Sequence, residues 1–103
     1  MGINYLAFDV LSSDYHIALF GYLQSIQGLE KITDVDSYIK SQPEFDASIH
    51  TKPSTHTLSN GHVTSYDTLP VYIRNAIDHP DSGNTFTEEE LRRSTELLIR
   101  LCH

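Results

Sequence analysis

Three side chains that could act on a phosphate ester lie close together in the segment from Arg74 to His79. Arginine presents a planar fork of N–H donors that matches the oxygens of a phosphate group. Histidine takes up or releases a proton near neutral pH. Asn75 could orient either group through its side-chain amide. These residue types predict metal-independent cleavage of a phosphodiester, with Arg74 holding the phosphate and His79 moving protons at a hydroxyl or at the leaving oxygen.

The segment that carries these side chains predicts a helix over residues 69–79. Pro70 suits the first helical turn, where the missing N–H costs nothing. Pro80 ends the helix, because a residue that precedes proline avoids the α region. The apolar positions follow helical spacing: Leu69, Tyr72, Ile73, Ala76 and Ile77.

An ideal helix does not bring Arg74 and His79 together, since it separates them by roughly 140° around its axis. Two arrangements could still bring the side chains of Arg74 and His79 together. Pro80 could pull His79 out of helical geometry, or a second copy of the helix, related by two-fold symmetry, could supply the missing partner. A purely structural interpretation also fits, in which Arg74 forms an i,i+4 ion pair with Asp78 and His79 caps the helix.

The rest of the chain predicts further helices. Apolar spacing predicts one helix over residues 3–11 and a second one that ends at Gly28, unless the two form a single kinked helix. A short helix is expected over 33–41. The last helix, over 87–102, begins with the capping-box pattern of Thr87 and Glu90.

Residues 44–66 are rich in serine, threonine and histidine and poor in apolar side chains. We expect a long polar loop there, which could contain a short β-ribbon because Asn60-Gly61 is typical of a tight hairpin turn. His50, His56 and His62 lie in this segment, but their spacing matches no compact metal motif. The sequence therefore predicts no metal and no other cofactor.

Composition limits the classes of function. A chain of 103 residues suits one domain, and its net charge of −7 with seven Lys and Arg argues against broad nucleic-acid affinity. Any contact with RNA must then come from a small local patch or from an assembly. The single cysteine suits a reducing compartment, and neither a membrane-spanning run nor a signal-peptide pattern is present in the sequence. We expect a cytoplasmic protein that does not bind membranes.

The segment Arg74–Pro80 resembles the R-(polar)-x-x-x-H signature of the HEPN superfamily, whose members are small helical bundles that often cut RNA. The flanking sequences strengthen the resemblance. Leu69–Asn75 leads into the signature, and Asn84–Ser94 opens the last helix, in a layout that looks like the C-terminal HEPN segment of bacterial ATPase-linked defence proteins. The resemblance covers residues 66–102 well.

The pattern and the resemblance together imply one all-α domain over residues 1–103, a bundle of four to five helices with the polar loop at 44–66. The resemblance implies a metal-independent endoribonuclease of bacterial defence or toxin biology. Arg74, Asn75 and His79 would then be catalytic at a homodimer cleft, with RNA as substrate and an ATPase or antitoxin as partner protein. The alternative is a non-catalytic HEPN-like module for dimerisation or for binding a nucleotide or a partner.

Overall fold

The computed structural model describes residues 12–102, which form five helices and one β-hairpin. The elements in chain order are α1 (Ser13–Gln27), α2 (Ile32–Ser41), α3 (Ala47–His50), β1 (Thr51–Thr57), β2 (Val63–Thr68), α4 (Leu69–Asp78) and α5 (Glu88–Leu101). A 3-10 turn at Pro80–Ser82 follows α4. The helix expected over 3–11 lies outside the described residues. No helix within 12–102 combines the length and the apolar character needed to cross a bilayer.

The all-α prediction was wrong, because β1 and β2 pair as an antiparallel two-stranded sheet. Thr57 pairs with Val63, and Ser54 pairs with Tyr66. Exposure alternates along both strands with the two-residue period of a pleated chain. The physical reason is the run of β-branched threonines, which favour strands, on either side of a tight turn. The hairpin thus replaces most of the polar loop expected over residues 44–66.

The turn of the hairpin forms at Asn60-Gly61. Gly61 has a φ of +86°, a left-handed backbone conformation that glycine adopts without steric cost. The side-chain oxygen of Asn60 accepts a hydrogen bond from the backbone N–H of His62 at 2.9 Å. Leu58 and Val63, next to this turn, keep much of their apolar surface in solvent.

The main core lies between α1, α2 and α5, and the helix ends follow their sequence signals. Ser12 caps α1, and Gly28 ends it in a left-handed conformation. Thr87 and Glu90 form both hydrogen bonds of the predicted capping box. The buried side chains of this core include Phe20, Leu23, Val35, Ile39, Leu97 and Leu98. A second cluster of Leu69, Ile73 and Leu91 packs α4 onto α5.

A buried carboxylate fixes the junction between β2 and α4. Asp36 is 5 % exposed, and one of its oxygens accepts hydrogen bonds from the backbone N–H of Thr68 at 2.9 Å and from the hydroxyl of Thr68 at 2.7 Å. The other oxygen accepts from the backbone N–H of Asp67 at 3.1 Å. We call these bonds the Asp36 clamp. The clamp ties α2 to the residue that precedes α4 and so holds the start of that helix.

Candidate functional site

A polar cleft of about 410 Å³ lies where β1, the end of α4 and the following turn meet. The hairpin forms one wall, and α4 with its C-terminal turn forms the other. The residues that line it are mostly polar: Ser54, Thr55, His56, Thr57, Tyr72, Asn75, His79, Asp81, Ser82 and Asn84. This cleft contains two of the three predicted site residues, Asn75 and His79.

His79 leaves helical geometry at the end of α4. Its backbone has φ −127° and ψ 69°, while its N–H still donates to the carbonyl of Asn75 at 2.9 Å. Pro80 explains the departure, because it disfavours the α region for the residue before it. The exposed His79 side chain is thereby directed toward the hairpin, and not toward Arg74 as the first of the two expected arrangements required.

His56 on β1 is the partner that His79 meets. The two imidazole rings stack with 5.2 Å between their centroids and 23° between their planes. Two imidazoles at one cleft can supply both a proton acceptor and a proton donor. His56 is not among the site residues predicted from the sequence, because the sequence predicts a polar loop at that position. The signal that could have found it was the Asn60-Gly61 turn, which implies a strand on each side.

Arg74 does not line the cleft. Its guanidinium Nη2 lies 3.0 Å from a carboxylate oxygen of Asp78, the i,i+4 ion pair of the structural interpretation. Its Nη1 donates to the Oδ1 atom of Asn75 at 2.8 Å. The guanidinium carbon also lies 5.9 Å from the centroid of the Phe20 ring. The structure therefore brings Arg74 to Asn75 and Asp78, but does not bring it to His79; its catalytic role stays a prediction.

Tyr72 forms part of the wall and is held in place from two sides. Its hydroxyl donates to the carbonyl oxygen of Thr85 at 2.7 Å. The ammonium of Lys52 lies 4.7 Å from the centroid of its ring and forms an ion pair with Glu90. Partial burial alone would raise the pKa of Glu90, but the hydrogen bonds from Lys52 and from Thr87 outweigh it and lower that pKa. The charge of the nearby Lys52 is thus already neutralised, and none of the described residues that line the cleft is a lysine or an arginine.

The other loop histidines have separate environments. His50 is buried, and its Nδ1 accepts the backbone N–H of Asp46 at 2.9 Å; burial lowers its pKa. His62 is exposed at the hairpin turn. Within residues 12–102 no group of three or more His, Cys, Asp or Glu side chains could hold a metal ion.

His16 lies apart from the cleft, between α1 and α5. It is fully buried, and its Nε2 lies 2.6 Å from the hydroxyl of Ser94. The other ring nitrogen, Nδ1, has no hydrogen-bond partner among residues 12–102. Burial lowers the pKa of His16 to about 4, so the neutral form is favoured in the folded protein.

Comparison with known proteins adds no relative: no family model, no curated protein and no solved structure matches this chain. The resemblance to the HEPN superfamily therefore depends on the residues of 66–102 alone.

Proposed function

We propose that this chain cuts RNA without a metal ion, using His56 and His79 as an acid–base pair. The observation that carries the proposal is the stacked pair itself: two imidazoles from different elements meet at one polar cleft. Cleavage at a 2′-hydroxyl needs one group to remove a proton and another to supply one, and two imidazoles meet that need. The resemblance of Arg74–Pro80 to the HEPN signature favours the same chemistry.

In the proposed reaction, one imidazole accepts the proton of the ribose 2′-hydroxyl, and the 2′-oxygen attacks the adjacent phosphorus. The bond from phosphorus to the 5′-oxygen breaks, and the other imidazole, in its protonated form, gives a proton to that oxygen. The products end in a 2′,3′-cyclic phosphate and a free 5′-hydroxyl. The reaction needs no co-reactant, because one imidazole gains a proton and the other loses one. Asn75, on the wall beside His79, can donate a hydrogen bond to a phosphoryl oxygen as charge develops there.

The charge of the chain limits how RNA is held. With a net charge of −7 and no lysine or arginine in the cleft lining, counterion release contributes little to binding. The substrate is then recognised over a short stretch around the scissile phosphate. Because His56 and His79 belong to one chain, the proposed reaction does not depend on a composite homodimer site.

The test is incubation of the purified protein with total RNA in EDTA. Wild-type protein should generate fragments with 2′,3′-cyclic phosphate ends, and His56→Ala and His79→Ala should not. His62→Ala is the matched control, because it removes an imidazole from the same hairpin outside the cleft. Intact RNA with the wild-type protein, or equal cleavage by all four proteins, would reject the proposal.

The second candidate is a module that binds a nucleotide or a partner without cutting RNA. One observation favours it: Arg74 is paired with Asp78 outside the cleft, and the described residues that line the cleft include no lysine or arginine to stabilise a developing negative charge. This candidate predicts that a short oligonucleotide binds and stays intact in every variant. RNA cleavage that depends on His56 or His79 would eliminate it.

A further inference from the structure

The side-chain amide of Asn75 has only one orientation open to it, and Arg74 imposes that orientation. A guanidinium has five N–H donors and no acceptor. The atom of Asn75 that lies 2.8 Å from Nη1 must therefore be its oxygen, Oδ1. The NH2 group of the same amide is then left to face other partners, and Asn75 lines the cleft.

Asp78 holds Arg74 in the position that this arrangement needs. Its carboxylate lies 3.0 Å from Nη2, while Nη1 donates a hydrogen bond to Asn75. The ring of Phe20 lies 5.9 Å from the guanidinium carbon on the side of α1. Both terminal nitrogens of the guanidinium thus have a partner, Asp78 outside the cleft lining and Asn75 on it, while Arg74 itself does not line the cleft.

We infer that Arg74 is a positioning residue, which acts through Asn75, and that the Asn75 amide presents a fixed N–H donor to a phosphoryl oxygen in the cleft. The inference rests on the proposed function for the class of ligand, a phosphodiester. It differs from the sequence-based expectation, in which Arg74 itself holds the phosphate. If Arg74 acts through Asn75, the losses of affinity from substitutions at the two residues should not add. If Arg74 binds the phosphate itself, they should add.

The experiment is a double-mutant cycle on binding, with a short 2′-O-methyl oligouridylate as the probe. The blocked 2′-oxygen prevents cleavage, so the measurement does not depend on catalysis. Arg74→Met is made together with Asp78→Asn, so that the net charge of the protein is unchanged. Asn75→Leu removes the donor at similar volume. Asp78→Asn alone is also measured, because Asp78 holds Arg74 in place and this variant shows how much of the effect of the pair comes from losing that support.

Asn75→Leu should weaken binding by about 10- to 100-fold, the range for one hydrogen bond to a charged group. The Arg74→Met, Asp78→Asn pair should weaken binding when Asn75 is present. It should have no further effect in the Asn75→Leu protein, because the effects of coupled residues do not add. The slope of affinity against salt should stay unchanged in that pair, whereas loss of a direct phosphate contact would reduce it by about one. A folded protein is verified for each variant by its thermal unfolding transition.

Additive losses, a reduced salt slope, or wild-type affinity in Asn75→Leu would overturn the inference, as would a wild-type protein that does not bind the probe. Failure of the proposed function is a different outcome: the probe binds with the expected coupling, while unmodified RNA stays intact.

Discussion

His56 and His79 stack with their ring centroids 5.2 Å apart, although one belongs to a β-strand and the other ends a helix. Neither residue has a histidine neighbour in the sequence. The pair exists because the hairpin folds back against α4 and because Pro80 takes His79 out of the helix. Two groups of the same chemical type are thereby placed to carry out opposite proton transfers.

Loss of either imidazole should reduce RNA cleavage by about 10²–10⁴-fold, the usual contribution of one general acid or base. Rates are measured on a fluorescent RNA in EDTA, with His62→Ala as the control that should keep the wild-type rate. A wild-type rate in His56→Ala or in His79→Ala would contradict the acid–base assignment.

Asp36→Ala should destabilise the protein by about 3 kcal/mol, since it leaves the donors of Thr68 and Asp67 buried or half-buried without their charged acceptor. Urea denaturation followed by circular dichroism gives the free energy of unfolding. Ser37→Ala is the matched control, an exposed neighbour on the same helix, and should change that free energy by less than about 0.5 kcal/mol. Equal effects of the two substitutions would show that the Asp36 clamp contributes no stability.

Acid should destabilise the fold through His16. Its pKa falls from the ordinary value of 6.5 to about 4 in the folded protein because the ring is buried. Between about pH 6.5 and 4 the unfolded chain therefore binds a proton at His16 and the folded chain does not. The free energy of unfolding decreases as the pH falls through this window. The shift corresponds to a loss of about 3 kcal/mol over that window.

The measurement for His16 is the free energy of unfolding in urea at pH 7, 5.5 and 4.5. His16→Gln, which cannot titrate, should remove most of the dependence. His50→Gln is the control, because His50 also has a lowered pKa but is less deeply buried. A pH dependence that survives in His16→Gln would assign the acid sensitivity to other groups.

Ile73→Ala should cost about 2–5 kcal/mol of stability, because Ile73 is completely buried between α4 and α5 and its removal leaves a cavity. Val63→Ala, at an exposed position of the hairpin, is the comparison and should have little effect. Thermal and urea unfolding give both values. A loss below about 1 kcal/mol for Ile73 would mean that the second core cluster contributes little.

Local signals in the sequence were sufficient for the ends of α1, α2, α4 and α5, but not for α3, which was not predicted. The capping box of Thr87 and Glu90 spans a single turn, so it can be read without knowledge of the fold. The hairpin was harder to predict, because its strands are polar and bury side chains only by packing against α2 and α4. The buried role of Asp36 could not be predicted either, since a carboxylate on a helix is usually solvated and the donors that satisfy it, on Asp67 and Thr68, are distant in the sequence.

The candidate site also combines residues that local signals indicate with residues that only distant contacts bring together. Asn75 and His79 could be selected from their neighbours in the sequence, and Pro80 correctly indicated that His79 could leave the helix. His56 could not be selected, because its partnership depends on the packing of two separate elements. The bond from Arg74 to Asn75 joins adjacent residues, but the side-chain conformation that makes it depends on Asp78 and on the Phe20 ring of α1.

The position of Pro80 after His79 has a consequence for protein synthesis. A nascent chain on the ribosome already contains His56 long before the turn that redirects His79 has been made. The proposed pair can form only when α4 and this turn have emerged and packed beside β1. Under the proposed function, a nascent chain that stops before this turn carries no working pair of imidazoles, so that chain does not cut the message on its own ribosome.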